Sequence, residues 1–213
     1  MAGKYFAIGD VHGCISLLEA LCDKIDFDRE KDTLVFIGDY IDRGPDSREV
    51  VDFVLDLKKK LNVICLKGNH EQMLLTYHLY NAYKDFYLMN GGTSTIMSYG
   101  LVDSDIGKRI DIPPEHLDFF RGLIPYHETE DYIFVHAGLK PGIALHKQDP
   151  TDMIWIRHDF IDSDYDFGKK IIFGHTPLPK PFRGAGKIGI DTGAVYGGKL
   201  TCVQLPDEIF YQV

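Results

Sequence analysis

Apolar positions in this chain come in short runs, each closed by a polar cluster that contains glycine. Five runs carry the pattern. They are Tyr5-Phe-Ala-Ile8 before Gly9-Asp-Val-His-Gly13, Leu34-Val-Phe-Ile37 before Gly38-Asp-Tyr-Ile-Asp-Arg-Gly44, and Val63-Ile-Cys-Leu66 before Lys67-Gly-Asn-His-Glu71. Tyr132-Ile-Phe-Val135 before His136-Ala-Gly138 and Ile171-Ile-Phe173 before Gly174-His-Thr176 complete the set. Runs this short cannot form a helix, and their unbroken apolarity predicts strands buried on both faces.

Helical periodicity falls between the first three. Leu18, Leu21, Cys22 and Ile25 share one helix face, and Val50, Val54, Leu57 and Leu61 form a second stripe. That stripe ends at Lys58-Lys-Lys60, where positive charge suits a helix C-terminus. The opening therefore reads βαβαβ, and the fold class is α/β. From about Lys187 the pattern turns to sheet, over Ile188–Asp191, Lys199–Leu205 and Glu208–Gln212, with Pro206-Asp207 as a hairpin turn. Residues 77–130 are less regular. A helix from about Glu71 to Tyr83, the Asn90-Gly-Gly92 break and a helix from Pro113-Pro114 through Phe120 predict a cap beside the core sheet. With no repeat and no linker, residues 1–213 read as a single catalytic domain.

Composition narrows the partners. The 213 residues are 45% hydrophobic and 12% aromatic, enough for a real core. Lys and Arg number 23 against 32 Asp and Glu, a net charge of −9. So acidic a surface disfavours nucleic acid and anionic membranes as partners. No run is long enough to span a bilayer, and the start shows no signal-peptide core. The four cysteines form no CxxC pair, so free thiols and a cytoplasmic location are expected. Nothing in the pattern calls for an oligomer, and monomer is the default.

Ligands of α/β sheets sit beyond the carboxyl ends of the strands. The clusters deliver Asp10, His12, Asp39, Asn69, His136 and His175 to that end. This is a nitrogen and oxygen donor set without thiolate, suited to manganese first, with iron or zinc as alternatives. Alternation along an extended chain would let Asp10 and His12 clasp one ion from the same side. One four-coordinate ion would leave two groups spare, whereas two divalent ions sharing Asp39 would use all six. Such a pair lowers the pKa of a shared water toward neutrality, for in-line attack on phosphorus. Arg43 offers a guanidinium fork for the phosphoryl oxygens. His70 is placed to protonate the leaving oxygen, with Asp42 holding its orientation. Each piece has a plainer reading alone: Asn69 as a helix cap, Asp42 and Arg43 as a surface ion pair. The plain readings would all have to hold together, in order, at strand ends.

Together, Gly9-Asp-Val-His-Gly13, Gly38-Asp-Tyr-Ile-Asp-Arg-Gly44, Gly68-Asn-His-Glu71, His136-Ala-Gly138 and Gly174-His-Thr176 closely resemble the signature of the phosphoprotein phosphatase family of metallophosphoesterases, in its compact bacterial and phage branch. The resemblance runs from Gly9 to about Tyr196. It implies two central mixed β-sheets packed as a sandwich with helices outside. It also implies a first metal on Asp10, His12 and Asp39, and a second on Asp39, Asn69, His136 and His175. His70 becomes the acid, Asp42 its partner, and Arg43 and Asn69 substrate ligands. Trp155-Ile-Arg157 is similar to the family's Trp-x-Arg segment, which makes Arg157 a second phosphate-binding arginine, with a surface role as the alternative. Tyr196, in Asp191-Thr-Gly-Ala-Val-Tyr-Gly-Gly, either reaches the site or packs. His78, His116, His127, His146 and His158 match no motif position and are expected to be packed or solvated.

The activity implied is hydrolysis of a phosphomonoester, foremost phosphoserine or phosphothreonine in protein, with phosphotyrosine or a small phosphoester also accepted. The alternative is symmetrical hydrolysis of diadenosine tetraphosphate by a sister group that shares Arg43-Gly-Pro45 but typically lacks the second aspartate, here Asp42. A non-catalytic binding module of the same fold would have lost a ligand or the acid, and none is missing.

Overall fold

The computed structural model describes residues 3–101 and 110–213. The strands are β1 (Tyr5–Ile8), β2 (Thr33–Phe36), β3 (Asn62–Cys65), β4 (Tyr126–Glu128), β5 (Tyr132–Val135), β6 (Lys170–Phe173), β7 (Phe182–Gly184), β8 (Lys187–Gly189), β9 (Thr201–Leu205) and β10 (Ile209–Gln212). The helices are α1 (Ile15–Lys24), α2 (Ser47–Lys58), α3 (Asn69–Tyr80), α4 (Lys84–Tyr87), α5 (Thr93–Ser98), α6 (Pro114–Arg121), α7 (Pro150–Trp155) and α8 (His158–Ile161). Residues Leu88–Gly92 join α4 to α5 through a kink at Gly91, whose φ is 99°.

Two mixed sheets result, in the orders β10-β9-β1-β2-β3 and β4-β5-β6-β8-β7. In the first, β1, β2 and β3 run parallel, β9 is antiparallel to β1, and β10 is antiparallel to β9. In the second, β5, β6 and β8 are parallel, with β4 and β7 as antiparallel edges. The predicted sandwich is present. Ala7, Val35, Ile37, Leu66, Val203 and Leu205 of the first sheet and its adjoining residues meet Phe134, Ile172, Ile188 and Ile190 of the second in one buried layer. Strand alternation supplies both faces: Ala7 points between the sheets, while Phe6 and Ile8 join Leu18, Leu21, Val50 and Val54 under the helices. Met153 and Phe160 cover the outer face of the second sheet through Ile133, Val135 and Ile171. Among the described residues, no helix is long and apolar enough to cross a membrane.

Some expectations needed correction. Burial on both faces fails for β3, whose residues 62–64 are exposed or half-buried because it forms a sheet edge. The helix predicted from Glu71 begins at Asn69 and stops at Tyr80, where Asn81 turns left-handed at φ 50°. Strands β4 and β7, three residues each, are too short for an alternation signal. The predicted cap is no separate layer. Tyr87, Ile96, Tyr99, Ile110, Ile112, Phe119 and Phe120 belong to the same core as Phe6 and Phe36, and residues 126–128 form the edge of the second sheet.

Candidate active site

Parallel strands end on one side of each sheet, and the sandwich brings those two sides together. The segments after β1, β2 and β3 carry Asp10, His12, Asp39, Asp42, Asn69 and His70; those after β5 and β6 carry His136 and His175. All eight side chains are at least 95% buried in residue terms, a burial that polar groups sustain only when partnered.

Asp39 is the centre. His12, Asp39 and His70 place ligand atoms within 4.8 Å of one another, and so do Asp39, His136 and His175. The Asp39 Oδ2 atom lies 3.5 Å from His12 Nε2 and 3.4 Å from His136 Nε2. Each imidazole is oriented from behind. His12 donates its Nδ1–H to the Ile41 carbonyl at 2.8 Å, and His136 donates its own to the Ile37 carbonyl at 2.9 Å. Both Nε2 atoms therefore face the centre, the arrangement found behind metal-ligating histidines. Asn69 Oδ1 sits 3.0 Å from His136 Nε2.

Asp10 behaves differently from the extended-chain expectation. His12 adopts φ 47°, so alternation does not carry from Asp10 to His12. Both Asp10 oxygens instead face the backbone N–H of His175, at 3.2 and 3.1 Å. Asp10 thus ties the two sheets together, and its cluster partner is on the other strand end.

Charge is dense here. Burial, then the neighbouring Asp191, raises the Asp10 carboxyl well above its usual range. Burial would raise Asp39 as well, but His136, His70 and His12 outweigh it and hold Asp39 well below that range. Burial lowers His12 to about 3, leaving a neutral ring whose Nε2 accepts from Arg43 Nη1 at 2.5 Å. Burial and His136 lower His175 to about 2. His136 goes the other way, to about 9, because Asp39 overcomes its burial.

The residues fit metal. Three buried carboxylates (Asp10, Asp39 and Asp191) converge with neutral imidazole lone pairs, and His175 Nε2 is buried without a hydrogen-bond partner among the described residues. Asp39 belongs to both triads, as expected of a shared ligand. When bound, divalent ions there would polarise phosphoryl oxygens and acidify a water.

His70 and Asp42 form a pair with both side chains fully buried, Nδ1 to Oδ2 at 2.7 Å. Burial lowers the affinity of His70 for its proton, but Asp39 and then Asp42 outweigh it, and the net shift is upward. His70 Nε2 has no hydrogen-bond partner among the described residues and lies 3.9 Å from Asp39 Oδ2. A protonated imidazole held at one nitrogen, with the other free over a carboxylate centre, can donate to a substrate atom.

The arginines divide. The Arg43 guanidinium reaches His12 and stands 5.5 Å from the centroid of the Tyr196 ring, so Tyr196 does approach the site. Arg157 is exposed at the start of α8; two residues before it, the Trp155 ring meets His175 edge-on at 5.9 Å, and the Arg157 charge helps lower His175. Elsewhere, His116 is held by Asp52 and Tyr99, and His127 packs against Tyr5 and Phe134.

Sequence reasoning missed four contributors. Glu71 accepts the backbone N–H groups of Asp39, Tyr40 and Gly68 at 3.0, 2.8 and 3.0 Å. Three residues after the N-cap Gly68, it supplies the glutamate half of a capping box, a spacing that was legible. Asp191, at the end of the Ile188-Gly-Ile190 run, is a further strand-end acid and is raised to about 6, chiefly by burial. Tyr87 and Thr95 donate to Asp42 Oδ1 at 2.9 and 2.6 Å from a segment that carries no motif. Gly68 explains the closeness of two loops, since a Cβ there would lie 2.1 Å from Asp39 Oδ1 and 2.5 Å from Asp39 N.

A two-sheet α/β sandwich with this buried donor set at its strand ends defines a metallophosphoesterase. The chain belongs to the calcineurin-like phosphoesterase family, which matches residues 3–201. It is 29% identical to an asymmetrical bis(5'-nucleosyl)-tetraphosphatase PrpE of Oceanobacillus iheyensis, over 99% of this chain and 92% of that protein. It is 31% identical to serine/threonine-protein phosphatase 1 of Salmonella typhimurium, over 94% and 91% respectively. A candidate diadenosine tetraphosphatase of solved structure shares the fold, with a TM-score of 0.78 at 22% identity, covering all of this chain and 94% of that one.

Proposed function

We propose that this phosphoesterase is a serine/threonine protein phosphatase that binds two divalent ions. The single observation carrying the reading is the buried His70–Asp42 pair, with His70 Nε2 left free of hydrogen bonds among the described residues. A serine or threonine alkoxide is a poor leaving group and needs a proton in the transition state, which a positioned imidazolium supplies. A nucleotide leaving group gains far less from such an acid. In this reading Asp10, His12 and Asp39 hold one ion, and Asp39, Asn69, His136 and His175 hold the other, manganese being the first choice for this donor set. Arg43, Arg157 and Asn69 bind the phosphoryl oxygens, and Asp42 keeps His70 oriented.

A second reading, dinucleoside tetraphosphatase, is favoured by two observations. One is the similarity to PrpE proteins. The other is a groove of about 720 Å³ beside the site, where Tyr83, Phe86 and Trp155 offer aromatic surface on which a base could stack. The relatives' names specify asymmetrical cleavage, in contrast to the symmetrical alternative raised from sequence.

The test compares kcat/KM on a phosphoserine peptide and on diadenosine tetraphosphate, after chelation and reconstitution with Mn²⁺. Preference for the peptide is expected. Preference for the dinucleotide replaces the first reading with the second; products of ATP and AMP then mean asymmetrical cleavage, and ADP alone means symmetrical. Turnover of neither substrate refutes both.

A further inference from the structure

We propose that Tyr87 and Thr95 are positioning residues for proton transfer, their hydroxyls fixing the Asp42 carboxylate and, through it, the His70 imidazole. The inference rests on the reading of His70 as the acid.

The two oxygens of Asp42 have separate tasks. Oδ2 accepts His70 Nδ1–H at 2.7 Å, while Oδ1 accepts Tyr87 O–H at 2.9 Å and Thr95 O–H at 2.6 Å. A carboxylate rotates broadly about its terminal torsion, so one hydrogen bond alone leaves the plane of the group undetermined. Two donors on the opposite oxygen set that plane, and with it the direction in which the His70 ring points. Asp42 and Thr95 are fully buried and Tyr87 is nearly so; no water is needed to complete the carboxylate.

The backbone is held from the same place. Asp42 and Arg43 are successive left-handed residues, with φ 71° and 69°, a conformation that costs non-glycine residues of the order of 1–3 kcal/mol each. Asp42 N–H reaches Thr95 Oγ1 at 2.9 Å and Ser47 Oγ at 3.0 Å. Arg43 N–H donates to the Gly91 carbonyl at 3.1 Å, and Ser94 Oγ–H donates to the Arg43 carbonyl at 3.0 Å. The Gly91–Thr95 turn therefore clamps both residues. The Tyr87 ring is fixed in turn by Tyr77, stacked at 5.3 Å, and by Gly92, where a Cβ would lie 2.6 Å from the ring. Burial and the adjacent Asp42 push the Tyr87 hydroxyl well above its usual pKa, so it remains a donor. What looked like a cap is, at this turn, the support of the acid.

The experiment uses the Mn²⁺-reconstituted protein, with metal content and melting temperature checked for every variant. Tyr87→Phe, Thr95→Val and Thr95→Ser are compared on a phosphoserine peptide and on p-nitrophenyl phosphate, whose leaving group needs little protonation. Tyr87→Phe and Thr95→Val are expected to lose about tenfold more kcat on the peptide than on the aryl ester, a fraction of a general acid's full effect. Thr95→Ser, which keeps the hydroxyl, is expected to recover most of the difference. Equal losses on the two substrates overturn the proposal. If Thr95→Val fails to fold, Tyr87→Phe decides, since it removes one oxygen and no volume. His70→Asn is the control. A substrate-selective loss there with none in Tyr87→Phe removes the positioning role alone. An unselective loss in His70→Asn, or a wild-type protein inactive on the peptide, removes the acid reading and the positioning role with it.

Discussion

The Glu71 Oε2 atom accepts the backbone N–H of Asp39 at 3.0 Å, although 32 positions separate them. The same carboxylate takes the N–H groups of Tyr40 and Gly68, so a residue with no part in the chemistry joins the loop after β2 to the start of α3. It thereby sustains the left-handed backbone of Asp39, at φ 54°.

Glu71→Gln is expected to destabilise the protein by about 2 kcal/mol, because an amide turns one acceptor into a donor facing a buried N–H. Urea unfolding measures the change directly. A stability equal to wild type would refute the clamp.

The metal-free protein is expected to lose stability as pH rises from about 7.5 to about 9, above the range in which the lowered His12 and His175 act in the opposite sense. His136 has a folded value of about 9 against an ordinary 6.5, so in that window the native state holds a proton that the unfolded chain has released. The stabilisation is complete below 6.5 and is lost as pH climbs through the folded value. His70, also raised, acts in the same direction. Melting temperatures of chelator-treated protein across this range check the sign, and a rise would contradict it. Bound metal competes with the His136 proton and should flatten the slope.

Asp39→Asn should reduce the number of ions retained after reconstitution, since Asp39 belongs to both buried triads. Elemental analysis of the desalted protein reads the stoichiometry. Unchanged metal content would remove Asp39 from its shared role.

Gly68→Ala places a methyl group against Asp39 at distances no Cβ tolerates. A loss of about 2 kcal/mol in stability, the scale of an overpacked site, is expected together with weakened metal retention. Calorimetry and metal analysis on the same sample test both. Wild-type values for both would show that the loops can separate at no cost.

Much of the fold was legible because its signal is local. A four-residue apolar run before a glycine cluster announces a buried strand without reference to any distant residue, and β1, β2, β5 and β6 lie where their runs predict. The candidate site was legible for the same reason: Asp39, Asn69, His136 and His175 each sit within a few residues of a strand end. Helix α3 was displaced by two residues at its start because Glu71 looks like a first helical turn, which it is, counted from Gly68.

What the sequence determined is therefore the strand-and-cluster order and the residue types delivered to the carboxyl ends. Periodicity and motif spacing are properties of adjacent positions, and both survive in the linear chain. Tertiary structure decided which groups meet. The Asp10 carboxylate turns to His175 across 165 positions, Tyr87 and Thr95 reach Asp42 across 45 and 53, and the presumed cap merges into the core of the first sheet. These pairings arise from packing two sheets face to face and folding residues 87–95 against a left-handed turn. A long-range hydrogen bond of that kind leaves no trace in the periodicity of either segment it joins.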